Sequence, residues 1–133
     1  MKLANFSLNK DLIALEAGSQ YLDLHNNYDF IGCVQNSSSA ELEWVVAKGD
    51  WVPSTIPGRL VIKIEGVSYF EKRGDFTGVK ELDELGFFEN STKGKVEYTG
   101  SNIPQEGADL LLFRFVGGAE LAVIGEMASC QTQ

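Results

Sequence analysis

Chemistry in this chain would have to come from very few groups, because the sequence holds one histidine, His25, and two cysteines, Cys33 and Cys130. A Ser-His-Asp enzyme would pair His25 with Asp23, which shares a strand face with it and with Tyr21. Residues two apart on a strand stand about 6.6 Å apart, too far for a carboxylate-imidazole bond unless the backbone bends. No G-x-S-x-G elbow supplies a nucleophile, so His25 reads as a polar residue beside a turn and no catalytic residue is assigned. Zinc needs three or four Cys, His or carboxylate ligands, and neither C-x-x-C nor H-x-x-H spacing occurs. Calcium-loop, Walker and dinucleotide glycine patterns are absent as well, so the expectation is no metal and no cofactor.

Glu41 and Glu43 share one strand face, and paired acids about 5 to 9 Å apart can serve glycosidase chemistry. Nothing nearby suggests the raised pKa that a proton donor would need, so they read as wet-face acids. A better surface candidate is the run Glu81, Asp83, Glu84, Phe87, Phe88 and Glu89, in which four acids adjoin two neighbouring rings. Two adjacent residues rarely both enter one core, so one ring is expected at the surface, where an acidic rim around an aromatic anchor suits a basic protein. Trp51, in a proline-containing loop, is a second candidate anchor. Against this stands the possibility that Phe87 and Trp51 plug the ends of the fold.

The elements that must hold these groups are mostly strands. Residues 12–17 and 20–25 flank Gly18-Ser19, which suits a type II′ hairpin, although Leu8, Leu12 and Leu15 also fall at helical spacing before a possible Gly18 cap. Asn26-Asn27 makes a turn into a strand over residues 28–35, whose two apolar faces predict a central position. In residues 41–47, Leu42, Trp44 and Val46 alternate with Glu41 and Glu43, as in a half-buried antiparallel strand. A loop over residues 49–58 follows. Leu60, Ile62 and Ile64 define the clearest strand, with a bulge expected at Gly66 before residues 67–71. Thr77 is placed to cap a short helix with an apolar stripe of Val79, Leu82 and Leu85, ended by Gly86. A brief strand over residues 95–99 and a hairpin of residues 110–116 and 120–128 around Gly117-Gly118 complete the chain. The expected fold is one mainly β domain, an antiparallel sandwich or partly closed barrel with one short helix.

The charge balance of 11 Lys and Arg against 19 Asp and Glu gives -8 in 133 residues. Such a field disfavours nucleic acid and anionic membrane as partners and favours a basic protein surface. No apolar run approaches the roughly 20 residues of a membrane helix and no signal-peptide pattern opens the sequence, which predicts a cytoplasmic protein with free thiols at Cys33 and Cys130. Sequons at Asn5, Asn36 and Asn90 read as turn chemistry. Sequence does not rank a monomer against edge-paired oligomers.

Residues 60–66, the stretch Asp83-Glu84-Leu85-Gly86-Phe87-Phe88 and Phe113-Arg114-Phe115-Val116-Gly117-Gly118 together resemble small bacterial β-rich proteins, some of which act as immunity proteins for toxins. The resemblance covers roughly the C-terminal half and implies a non-enzymatic protein that binds a basic toxin domain. A small-molecule carrier with an apolar cavity in its barrel or sandwich is the competing expectation.

Overall fold

The computed structural model describes residues 1–92 and 100–133, and the strand expected over residues 95–99 lies outside them. The described strands are β1 (Lys2–Leu3), β2 (Ser7–Leu8), β3 (Ala14–Ala17), β4 (Gln20–Asp23), β5 (Tyr28–Gln35), β6 (Ser39–Val46), β7 (Arg59–Glu65), β8 (Tyr69–Arg73), β9 (Leu82–Phe88), β10 (Leu110–Phe115), β11 (Glu120–Ile124) and β12 (Met127–Thr132). They form a five-stranded sheet in the order β1-β12-β7-β6-β5, a four-stranded sheet in the order β8-β11-β10-β9 and a small sheet β2-β3-β4. Every pairing among the described residues is antiparallel except β1 with β12. In the four-stranded sheet the meander β9-β10-β11, which follows β8 in the chain, brings β11 back beside β8, a Greek-key order. The architecture is a sandwich, and none of the sheets closes into a barrel.

Alternation dictates what each sheet buries. Leu42 and Trp44 of β6 and Leu60, Ile62 and Ile64 of β7 point inward and are fully buried, while Glu41 and Glu43 face out. From the opposite sheet come Leu85, Phe87, Leu111, Phe113, Phe115, Leu121 and Val123. Rings fill the space between: Phe30 lies 5.1 Å from Trp44 and 4.7 Å from Phe115, and Trp44 lies 5.8 Å from Phe113. That packing works against the carrier expectation, which needs the space empty.

The Gly18 hairpin forms as expected. Ala17 pairs with Gln20, Gly18 has φ of 61°, and Ser19 does not share its positive sign, as a type II′ turn requires. The helical spacing of Leu8 and Leu15 has another cause, since the two are cross-strand partners between β2 and β3 and both enter the core.

Four expectations are corrected. β5 is the edge of its sheet, not its centre. Gly66 is no bulge within one strand; the chain there leaves β7 and enters β8 in the other sheet. Residues 120–128 are likewise split between β11 and β12 in different sheets. The helix over residues 77–85 does not form. Asp75 accepts the Thr77 N–H at 2.8 Å, and residues 82–88 are β9, so the helical turn described is a 3₁₀ turn at Asn90–Thr92.

Candidate functional site

Three of the predicted surface residues gather at one end of the sandwich, around the turn between β4 and β5. The Asp23 carboxylate builds this turn, accepting the backbone N–H groups of His25 (3.0 Å) and Asn26 (2.8 Å) and the Asn26 side-chain amide (2.8 Å). Such an arrangement satisfies backbone donors that the turn leaves without strand partners. The Asn26 carbonyl then accepts the Trp51 indole Nε1–H at 2.9 Å, which holds the ring of the 49–58 loop against the turn while leaving it 61% exposed. On the other side, His25 contacts the Leu82 carbonyl through Nδ1, and its Nε2 lies 3.7 Å from Glu81 Oε1. Asp23 is thus engaged by backbone and not by the imidazole, so the triad geometry does not arise.

Glu81 continues this surface toward the β10–β11 turn. Its carbonyl accepts the Val116 N–H at 2.9 Å, and Val116 is exposed. Asp83, Arg114, Val116 and Glu120 line an open concavity of about 310 Å³ beneath Gly117 and Gly118. Arg114 bonds Glu84 at 3.0 Å and Glu120 at 3.1 Å, and Arg73 lies 3.7 Å from Glu120. Because these residues stand opposite one another across β8, β11, β10 and β9, they form one row of alternating sign on the outer face.

Trp51, Glu81 and Asp83 therefore share one end, exposed, while Glu84 is drawn into the charged row. Phe87 and Phe88 depart from expectation: both are buried, at 2% and 3% exposure. They avoid competing for one core because they point to opposite faces of β9. Phe87 enters the space between the sheets, and Phe88 joins Leu110, Leu112 and Ala122 in a second cluster on the outer face. Glu89 is exposed at the far end of β9, roughly 26 Å from Glu81 at strand rise.

Sequence reasoning missed a second surface. A concavity of about 360 Å³ crosses the outer face of the five-stranded sheet beside β5, with Ile31, Val34, Glu41, Glu43, Arg59 and Val61 among its walls. Its signal is the uncharged stretch of residues 30–40, part of which lies in the strand over residues 28–35 that was expected at the sheet centre and stands at its edge. Arg59 bonds Glu43 through Nε, and that bond holds the Glu43 carboxyl below the usual carboxylate range against a smaller opposing effect of burial. A glycosidase proton donor requires the opposite shift. Cys33 and Cys130 are free thiols, and burial raises both, Cys130 to about 11. Among the described residues no group of three or more His, Cys, Asp or Glu is assembled that would hold a metal ion, and no helix is long and apolar enough to cross a membrane.

No family model, curated protein or solved structure matches this chain. The resemblance of the C-terminal half thus rests on its strand-and-turn patterns alone.

Proposed function

We propose that this chain acts by binding a basic protein domain at the sandwich end that carries Trp51, Glu81, Asp83 and Val116, in the manner of an immunity-type protein facing a toxin domain. The observation that carries the proposal is the exposed indole. A tryptophan pinned by one hydrogen bond and largely open to solvent has little rotamer freedom left to lose on binding, which suits it as an anchor. The neighbouring acids Glu81 and Asp83 supply local steering, within a body of charge -8 that attracts a cationic partner. Phe88 has no part in this surface, because its ring is buried.

The test is affinity capture from the source cell, then surface plasmon resonance of the captured protein against the full chain at two salt concentrations. The expected partner is basic, its association rate falls as salt rises, and Trp51→Ala weakens binding at least tenfold, in the range of a hot-spot truncation of about 2 kcal/mol. Binding indifferent to both salt and Trp51→Ala sinks the proposal.

A further inference from the structure

Among the described residues, the two main sheets protect their edges with one exception. At the β1 side, Asn5 donates its side-chain amide to the Cys130 carbonyl and accepts the Cys130 N–H, both at 2.8 Å, so a side chain stands in for a neighbouring strand. The β9 edge is closed by the Leu85 N–H to the Leu12 carbonyl (2.8 Å) and by two bonds exchanged between Phe87 and Ser101 (2.7 and 2.9 Å). β8 carries Glu71, Lys72 and Arg73 in succession, a charged edge that discourages pairing. Among the described residues, β5 is covered only at its start, where the Phe30 N–H reaches the Lys80 carbonyl at 2.8 Å.

Beyond Phe30 the ladder alternation aims further backbone groups outward. Val46 donates its N–H away from β5 to the Gly58 carbonyl, so the even residues of β6 bond toward β7. Cys33 and Gln35, opposite Leu42 and Ala40, therefore turn their N–H and C=O groups to the open edge. Ile31 and Val34 lie beside them, 54% and 60% exposed. Residues 30–40 carry no charged side chain, between Asp29 and Glu41, in a chain of net charge -8.

We infer that this edge pairs with a second copy of the same chain, β5 against β5 in antiparallel sense, to give one continuous ten-stranded sheet. Two molecules of charge -8 repel most where acids face acids and least along a neutral strip, and this strand edge is neutral. Apolar side chains without a charged gatekeeper are what an edge kept available for pairing requires. The two-fold axis passes at Val34. Cys33 of each copy then stands opposite Gln35 of the other, in two hydrogen-bonded pairs, and Val34 faces its symmetry mate across a close, non-hydrogen-bonded position.

Sedimentation equilibrium of the full chain tests this, and the expected mass climbs with concentration from 14.6 kDa toward twice that value. Val34→Lys, at an exposed position, leaves the circular dichroism spectrum and melting temperature of the dilute protein unchanged and holds the mass at one chain. Val34→Cys, oxidised at high concentration, yields a cross-linked dimer whose peptide map joins residue 34 to residue 34, because opposed non-hydrogen-bonded positions suit disulfide geometry. A wild-type chain that stays monomeric to about 1 mM overturns the inference. So does a dimer that persists in Val34→Lys, or a map in which position 34 joins another cysteine.

Discussion

Tyr28 illustrates how far a single side chain is set by its surroundings. Its ring is buried at the start of β5 and its hydroxyl donates to the Pro57 carbonyl at 2.8 Å. Burial, with a smaller effect from Cys130, pushes the phenol from its usual value near 10 up to about 12. Because the folded value is the higher one, the stability involved is complete below pH 10 and is lost as pH rises from 10 toward 12. Tyr28→Phe is expected to cost about 1 kcal/mol at neutral pH for the lost hydrogen bond, and to flatten the fall in urea midpoint across that alkaline window. An unchanged alkaline slope counts against this assignment. The thiols make a second expectation at this scale. Cys33, half-buried, reacts first with a disulfide reagent, and Cys130 reacts only at the rate of local or global opening, as timed mass spectrometry would record. At the sequons, Asn36 behaves as sequence indicates, donating its N–H within its hairpin turn to Ser39. Asn90 likewise opens the 3₁₀ turn at Asn90–Thr92 while its side chain exchanges bonds with Asp109, whereas Asn5 reaches Cys130, a partner too distant in sequence to leave a signal.

Among the elements, β9 was the least legible, for a physical reason. Leu82 and Leu85 both face the core at a spacing of three because the register with β10 shifts between Arg114 and Phe115, so Asp83 is the extra residue of a bulge. A bulge and one turn of helix leave the same apolar spacing, and only the partner strand distinguishes them. Gly86, expected as a helix cap, is a contact point instead. A Cβ there would lie 3.3 Å from both the Gly100 Cα and the Ser101 carbonyl oxygen, the segment that seals this edge. Gly86→Ala is therefore expected to destabilise the fold by about 1–3 kcal/mol, the range for overpacking against backbone, measured by chemical denaturation. No loss would mean that the 100–101 segment yields freely. Strand β6 was readable because it has one dry and one wet face, and β7 because Leu60, Ile62 and Ile64 keep the period of two although Val61 on its outer face is also buried. β5 was misplaced because its exposed apolar residues imitate burial.

For the whole molecule, composition and alternation carried the fold class, whereas the pairing order did not follow from them. Residues that meet across the molecule leave no periodic trace, and so the candidate site was only partly legible: Trp51 and Glu81 are joined through Asn26 and His25, and that closure is a property of the folded loops. The same reasoning places a prediction at the two ends of the sequence. Lys2 and Leu3 pair with Met127 and Ala128, and Asn5 clasps Cys130. Asn5→Ala is expected to lower unfolding free energy by about 1 kcal/mol, and Asn5→Asp by more, since a carboxylate cannot donate to the Cys130 carbonyl and repels it. Equal stability of all three proteins in urea would discount the clasp. This closure has a consequence in time. β1 meets β12 across about 125 residues of intervening sequence, and β7 meets the same strand across roughly half that separation. The larger sheet therefore closes through pairings distant in sequence, whose loop entropy must be overcome before the contacts form, and the protein should fold slowly for its size.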